Sequence, residues 1–151
     1  MEEKEYGLVL AGGGTKGAYQ VGVWKALQEL NINVTAIVGT SIGALNGALF
    51  LQDDIDSVIK MYEHIKINNI MNIEGIDSNK NIFDLSNIFN LAADYTKQKG
   101  IDNTPLRNMI REHVNMDKLY DSRINFGLVT YSVKNKIPLR KFKNEIPKEQ
   151  M

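Results

Sequence analysis

Ser41 stands in the run Gly39-Thr40-Ser41-Ile42-Gly43, which fits the pattern Gly-x-Ser-x-Gly. An apolar segment leads into it and another leads out, so the serine falls at a strand-to-helix turn. A turn that sharp strains its serine backbone by about 1–3 kcal/mol. Flanking glycines remove the side chains that would collide there. The result is an exposed hydroxyl aimed away from the sheet, above a helix N-terminus. That is how a nucleophile is presented. The plainer alternative is an N-cap serine set between two glycines.

One βα unit upstream, a second apolar run ends in Gly12-Gly13-Gly14-Thr15-Lys16-Gly17. Gly12, Gly14 and Gly17 satisfy the dinucleotide fingerprint Gly-x-Gly-x-x-Gly. That fingerprint expects an acid at the end of the next strand. No Asp or Glu lies between Asn31 and Gln52, so a Rossmann-like cofactor site is the weaker alternative. A Walker A loop fails on order, because the chain reads Thr15-Lys16-Gly17. The remaining use is an oxyanion hole, in which backbone N–H groups turn inward with no side chains in the way. Losing one such donor costs on the order of 10²–10³ in rate. Lys16 either adds positive charge there or lays its stem along a helix start. The loop also suits an anion or lipid headgroup in a non-catalytic binding module.

These motifs require elements to hold them. Tyr6–Ala11 reads as a strand covered on both faces. Val21, Trp24, Leu27 and Leu30 mark the apolar stripe of a helix over Lys16–Leu30, with Gln20, Lys25, Gln28 and Glu29 on the solvent side. Gly22 weakens that helix unless it packs closely on a strand. Val34–Gly39 is a second buried strand and Ser41–Leu51 a second, very apolar helix. The succession implies a right-handed parallel βαβ unit and an α/β fold. Ile55, Val58, Ile59, Tyr62 and Ile65 predict an amphipathic helix starting near Asp54 or Asp56. Residues 68–81 read as loop with short helical pieces and 82–99 as a helix closed by Gly100. Asn103-Thr104-Pro105 opens a helix that runs to about Val114. Arg123–Val133 alternates as a third strand. Lys134-Asn135-Lys136 turns the chain into Ile137–Phe142, an edge strand by virtue of Pro138. The chain thus divides into 6–53 with both motifs, 54–115 as a helical layer or cap, and 123–143 as late strands. In the cap reading Met61, Ile70, Met71 or Phe89 would touch acyl chains.

Eighteen basic and eighteen acidic residues leave a formal net charge of zero. No field of either sign recruits nucleic acid. The absence of cysteine excludes disulfides, thiolate metal sites and cysteine nucleophiles. The acidic start Met1-Glu2-Glu3-Lys4-Glu5 is unlike a signal peptide, and no apolar stretch reaches the length of a membrane span. A cytoplasmic location is the expectation. His64 and His113 both fall in helix patterns, where a solvated face and a favourable helix dipole account for them.

With both motifs placed, the chain resembles the patatin-like phospholipases. That family carries Gly-Gly-Gly-x-(Arg/Lys)-Gly after the first strand and Gly-x-Ser-x-Gly after the next. Asn103-Thr104-Pro105-Leu106-Arg107 and Phe126-Gly127-Leu128-Val129-Thr130 also look like the family's downstream helix and strand. The resemblance implies a three-layer α/β/α domain and a lipid acyl hydrolase without metal or cofactor. It implies Ser41 as nucleophile and backbone amides around Gly13, Gly14 and Thr15 as the oxyanion hole. It implies a Ser-Asp dyad, the aspartate lying in an Asp-Gly-(Gly/Ala) motif on a later strand, and peripheral contact with lipid surfaces. No Asp is followed by Gly in this chain. Asp77, Asp84, Asp94 and Asp102 sit outside any motif. The expectation is therefore an N-terminal fragment or truncated homologue, inactive by itself, whose exposed sheet edge invites self-association.

Overall fold

The computed structural model describes residues 4–65, 104–132 and 134–150. They fall in two compact units, one of Met1–Tyr62 with Val114–Met151 and one of Glu63–His113. The first holds a four-stranded sheet in the order β1 (Tyr6–Leu10), β2 (Val34–Thr40), β3 (Asn125–Ser132), β4 (Ile137–Phe142). β1, β2 and β3 are parallel, and β4 returns antiparallel onto β3. Pro138 lies opposite Tyr131 on the outermost strand, where its missing N–H costs no ladder bond.

Two crossover helices, α1 (Gly17–Glu29) and α2 (Ile42–Phe50), follow β1 and β2. Both crossovers step in the same direction along the sheet, so right-handedness puts both helices on one face. Leu8, Ile37 and Phe126 line up across three strands on that face. They pack with Trp24, Leu49 and Phe50 in the core. Trp24 and Phe50 stack with ring centroids 5.0 Å apart and planes 1° from parallel, which locks α1 to α2.

The opposite face corrects the expectation for β1. Val9 points there and is 80 % exposed. Among the described residues the helices α1 and α2 supply one layer, and β1 is covered on that side alone. Gly127 also belongs to this face, yet it is buried beneath Phe142 of β4; a Cβ added there would lie 2.9 Å from that ring. Leu30 leaves the predicted stripe of α1 and is 70 % exposed, because α1 ends at Glu29 and the chain turns away.

Gly22 has no close-packing role, since a methyl added there would meet nothing within 4 Å. Gly22→Ala is therefore expected to stabilise the protein by about 0.5–1 kcal/mol. A rise of about 1–4 °C in Tm checks it.

α3 (Ile55–His64) starts where Asp54 can cap it. Ser57 donates its backbone N–H to Asp54 Oδ1 at 3.2 Å and its hydroxyl to Oδ2 at 2.9 Å. The Ser57 hydroxyl and then its N–H hold the Asp54 carboxyl below its ordinary value of 3.8. A depressed folded-state pKa contributes stability that is complete above the ordinary value. It is lost as pH falls through the folded one. Asp54→Ala is expected to cost about 1 kcal/mol at neutral pH. Urea unfolding at neutral and strongly acidic pH should show that difference shrinking in acid.

α4 (Thr104–His113) has Pro105 in its first turn, as read from the sequence. The expected loop over 68–81 and helix over 82–99 lie outside the described residues. Between α4 and β3 stands a helix the periodicity does not announce, α5 (Met116–Asp121), with Leu119 1 % exposed. Its signal was legible: Asn115 accepts from the Lys118 N–H at 3.1 Å as N-cap. The C-terminal end of α5 is held by Lys143. Its ammonium donates to the carbonyls of Ser122, Ile124 and Leu119 at 2.7, 3.1 and 3.3 Å. Burial lowers its pKa. The polar segment after β4 forms two short 3-10 turns, Lys143–Glu145 and Lys148–Gln150. Tyr120 donates its hydroxyl to the Ile146 carbonyl at 2.7 Å, and Lys148 pairs with Asp117.

Candidate active site

The site is assembled at the C-terminal ends of the parallel strands, where open α/β sheets place their ligands. β2 ends at Thr40, α2 begins at Ile42, and Ser41 is the single residue between them. Its backbone sits at φ 56° and ψ −127°, a conformation that strains any residue bearing a Cβ. Its side chain makes no cap hydrogen bond to α2 and is exposed. The N-cap alternative therefore loses its defining contact, and the hydroxyl stands available above the helix N-terminus.

Gly39 and Gly43 make so tight a turn possible. A Cβ on Gly39 would lie 2.3 Å from the Gly43 carbonyl oxygen. A Cβ on Gly43 would lie 2.3 Å from the Leu10 carbonyl oxygen at the end of β1. The first turn of α2 is thus pressed against the end of β1, which is where the glycine loop starts.

The loop meets the serine. A Cβ built on Gly12 would be 3.3 Å from Ser41 Cβ and 3.9 Å from Ser41 Oγ. Gly13 and Gly14 follow at φ 157° and 55°, backbone that side chains disfavour. The loop then tightens into a 3-10 turn over Gly14–Lys16, in which the Lys16 N–H donates to the Gly13 carbonyl at 3.1 Å. Thr15 and Lys16 are exposed. The Lys16 stem folds back beside Gly13. Gly17 is buried at the start of α1, where a Cβ would meet Ile42 at 2.4 Å and Tyr62 at 2.7 Å. The structure thus brings together both sequence motifs, the Gly12–Gly17 loop and the Gly39–Gly43 turn.

Three further side chains join them. Gln20, expected on the solvent side of α1, is half-buried and donates to the Ala11 carbonyl at 2.7 Å. Asn46 is fully buried on α2 and bonds Gly17, Gln20 and Tyr62. Burial of the Tyr62 phenol raises its pKa, so it remains the donor. An asparagine inside an otherwise apolar helix was the sequence signal for this network.

Met61 is 7 % exposed within the hydrophobic core, which removes it from an acyl-chain surface. Ile70, Met71, Phe89, Asp77, Asp84, Asp94 and Asp102 lie outside the described residues. His113 ends α4 with Nδ1 3.0 Å from the Met109 carbonyl of its own helix. His64 is exposed at the end of α3. Among the described residues no cluster of His, Asp and Glu could hold a metal ion. None of their helices is long and apolar enough to cross a membrane.

A glycine loop thus stands beside a strained serine at the C-terminal ends of a parallel α/β sheet. The sequence profile described as patatin-like phospholipase matches residues 8–150, and the chain belongs to that family. Lysophospholipase nte1 of Aspergillus terreus is 52 % identical over 63 residues, which cover 42 % of this chain and 4 % of that protein. Neuropathy target esterase sws of Drosophila sechellia is 55 % identical over 47 residues, covering 31 % of this chain and 3 % of that one. The chain thus spans a small fraction of these curated relatives. The crystal structure of VipD from Legionella pneumophila matches 97 % of this chain and 40 % of its own, with a TM-score of 0.57 at 19 % identity. That likeness supports the α/β fold.

Proposed function

We propose that this chain carries the nucleophile and the oxyanion-stabilising half of a lipid acyl hydrolase. Ser41 Oγ attacks the carbonyl carbon of a lipid ester, and its proton passes to a base. The N–H groups around Gly13, Gly14 and Thr15 receive the charge that forms on the carbonyl oxygen. Collapse of the tetrahedral intermediate expels the alcohol and leaves an acyl-serine, which water then hydrolyses to free fatty acid and Ser41. The base is a dyad aspartate by family resemblance, and no Asp-Gly motif of this chain nominates it. The names of the relatives, lysophospholipase and esterase, favour single-chain lipid esters as the substrate class.

One observation carries the reading: the strained, uncapped, exposed Ser41 stands against Gly12. A structural N-cap gains nothing from positive φ, whereas a nucleophile gains exposure. The test is covalent labelling of the intact protein by a fluorophosphonate probe. Labelling is expected in the parent and absent in Ser41→Ala. Labelling that persists in Ser41→Ala would sink the assignment.

A further inference from the structure

The glycine loop has little of its own to hold it in place, for its two larger side chains, Thr15 and Lys16, are both exposed. Its ends are tied instead by a chain of hydrogen bonds that crosses three helices. Gln20 of α1 donates Nε2 to the Ala11 carbonyl, immediately before the loop, at 2.7 Å. Asn46 of α2 donates Nδ2 to the Gly17 carbonyl, at the loop's far end, at 3.0 Å. The same Nδ2 donates to Gln20 Oε1 at 2.9 Å. Tyr62 of α3 donates its hydroxyl to Asn46 Oδ1 at 2.7 Å.

The two ends fix the direction of every bond. Backbone carbonyls only accept, so Gln20 and Asn46 must turn their amide nitrogens toward Ala11 and Gly17. Gln20 Oε1 is then left for Asn46, and Asn46 Oδ1 for the Tyr62 hydroxyl. Asn46 is 0 % exposed, so breaking its bond to Gly17 or to Tyr62 leaves a buried polar atom unpaired, whereas the Gln20–Ala11 bond lies at the surface.

We propose that Gln20, Asn46 and Tyr62 are positioning residues that set the distance between the glycine-loop amides and Ser41. The proposal rests on the acyl-transfer reading above. Asn46 grows from the helix that begins at Ile42, directly after the nucleophile. One side chain therefore refers the loop to the element that presents Ser41. Apolar packing resists compression but has no preferred direction, whereas hydrogen bonds are directional. Catalytic geometry requires direction, since a misplacement of about 1 Å costs on the order of 10²-fold in rate.

Gln20→Met in the intact protein tests it. Methionine keeps the length and helix propensity while removing both the donor and the acceptor. The expected result is a fall in kcat on a lysophospholipid of about 10- to 100-fold with KM little changed. Amide hydrogen exchange over Gly12–Lys16 should accelerate by about tenfold, with exchange in α2 unaltered. Tyr62→Phe, two bonds removed from the loop, should give a smaller fall in the same direction. Parent-like kcat in both variants, or a loss confined to KM, overturns the proposal. If the parent itself shows no Ser41 labelling, the acyl-transfer reading is what has failed. The exchange measurement still decides the clamp, and unchanged exchange over the loop overturns it.

Discussion

Ser41→Gly is expected to abolish acyl transfer and at the same time to raise Tm. The two effects have separate causes in one residue. Activity is lost because the attacking oxygen is gone. Removing the serine nucleophile of a triad hydrolase lowers kcat on the order of 10⁶-fold. Stability rises because φ 56° and ψ −127° penalise a Cβ, by about 1–3 kcal/mol. Glycine adopts that backbone freely. Its greater freedom in the unfolded chain takes back about 0.5–1 kcal/mol, which leaves a net gain of up to about 2.5 kcal/mol. Ser41→Ala separates the two effects, because it loses the hydroxyl and keeps the Cβ. It should be as inactive as Ser41→Gly without the gain. Thermal unfolding of the three proteins in parallel decides this. Equal Tm values for the glycine and alanine variants would mean that the turn stores no strain.

Gly43→Ala is expected to cost about 3 kcal/mol or more, the upper end of overpacking. The added methyl would lie 2.3 Å from the Leu10 oxygen, 2.7 Å from its carbon and 2.8 Å from the Ala11 oxygen. These are backbone atoms of Leu10, held in a ladder with β2, and of Ala11 directly after it, so neither side can yield by turning a side chain. α2 must back away from the end of β1, and Ser41 moves away from Gly12 with it. Denaturant unfolding should show the loss, and fluorophosphonate labelling of the remaining folded protein should slow. Gly22→Ala provides the contrast, the same substitution with the opposite expected sign. A Gly43→Ala protein of parental stability would mean that the approach of α2 to β1 is looser than its glycine implies.

These expectations rest on features of unequal visibility in the sequence. The strand-turn-helix around Ser41 was legible because its signals are local. Apolar runs set the elements, and two glycines bracket the turn that holds Thr40 and Ser41. The glycine loop could be separated from a nucleotide site for a similar reason, the missing acid between Asn31 and Gln52. The antiparallel return of β4 was legible in Lys134-Asn135-Lys136 and Pro138. The exposure of Val9 was not, because an apolar run of five residues reads the same whether one face or both are covered. The six residues of α5 hold too few turns for a periodicity to announce it, although Asn115 marks its start.

By itself the sequence determined the order of β1 to β4 and α1 to α4, the α/β class and the two motifs that belong together. Each of these depends on residues close in the chain, where backbone sterics and hydrophobic period act directly. Only the tertiary structure decided how near those motifs come. The contact of Gly12 with Ser41, the seating of Gly43 on Leu10 and the chain from Tyr62 through Asn46 and Gln20 to Ala11 all join residues from separate elements. Such contacts follow from how helices settle on a sheet. A buried asparagine announces in sequence that it must find partners, and packing chooses which.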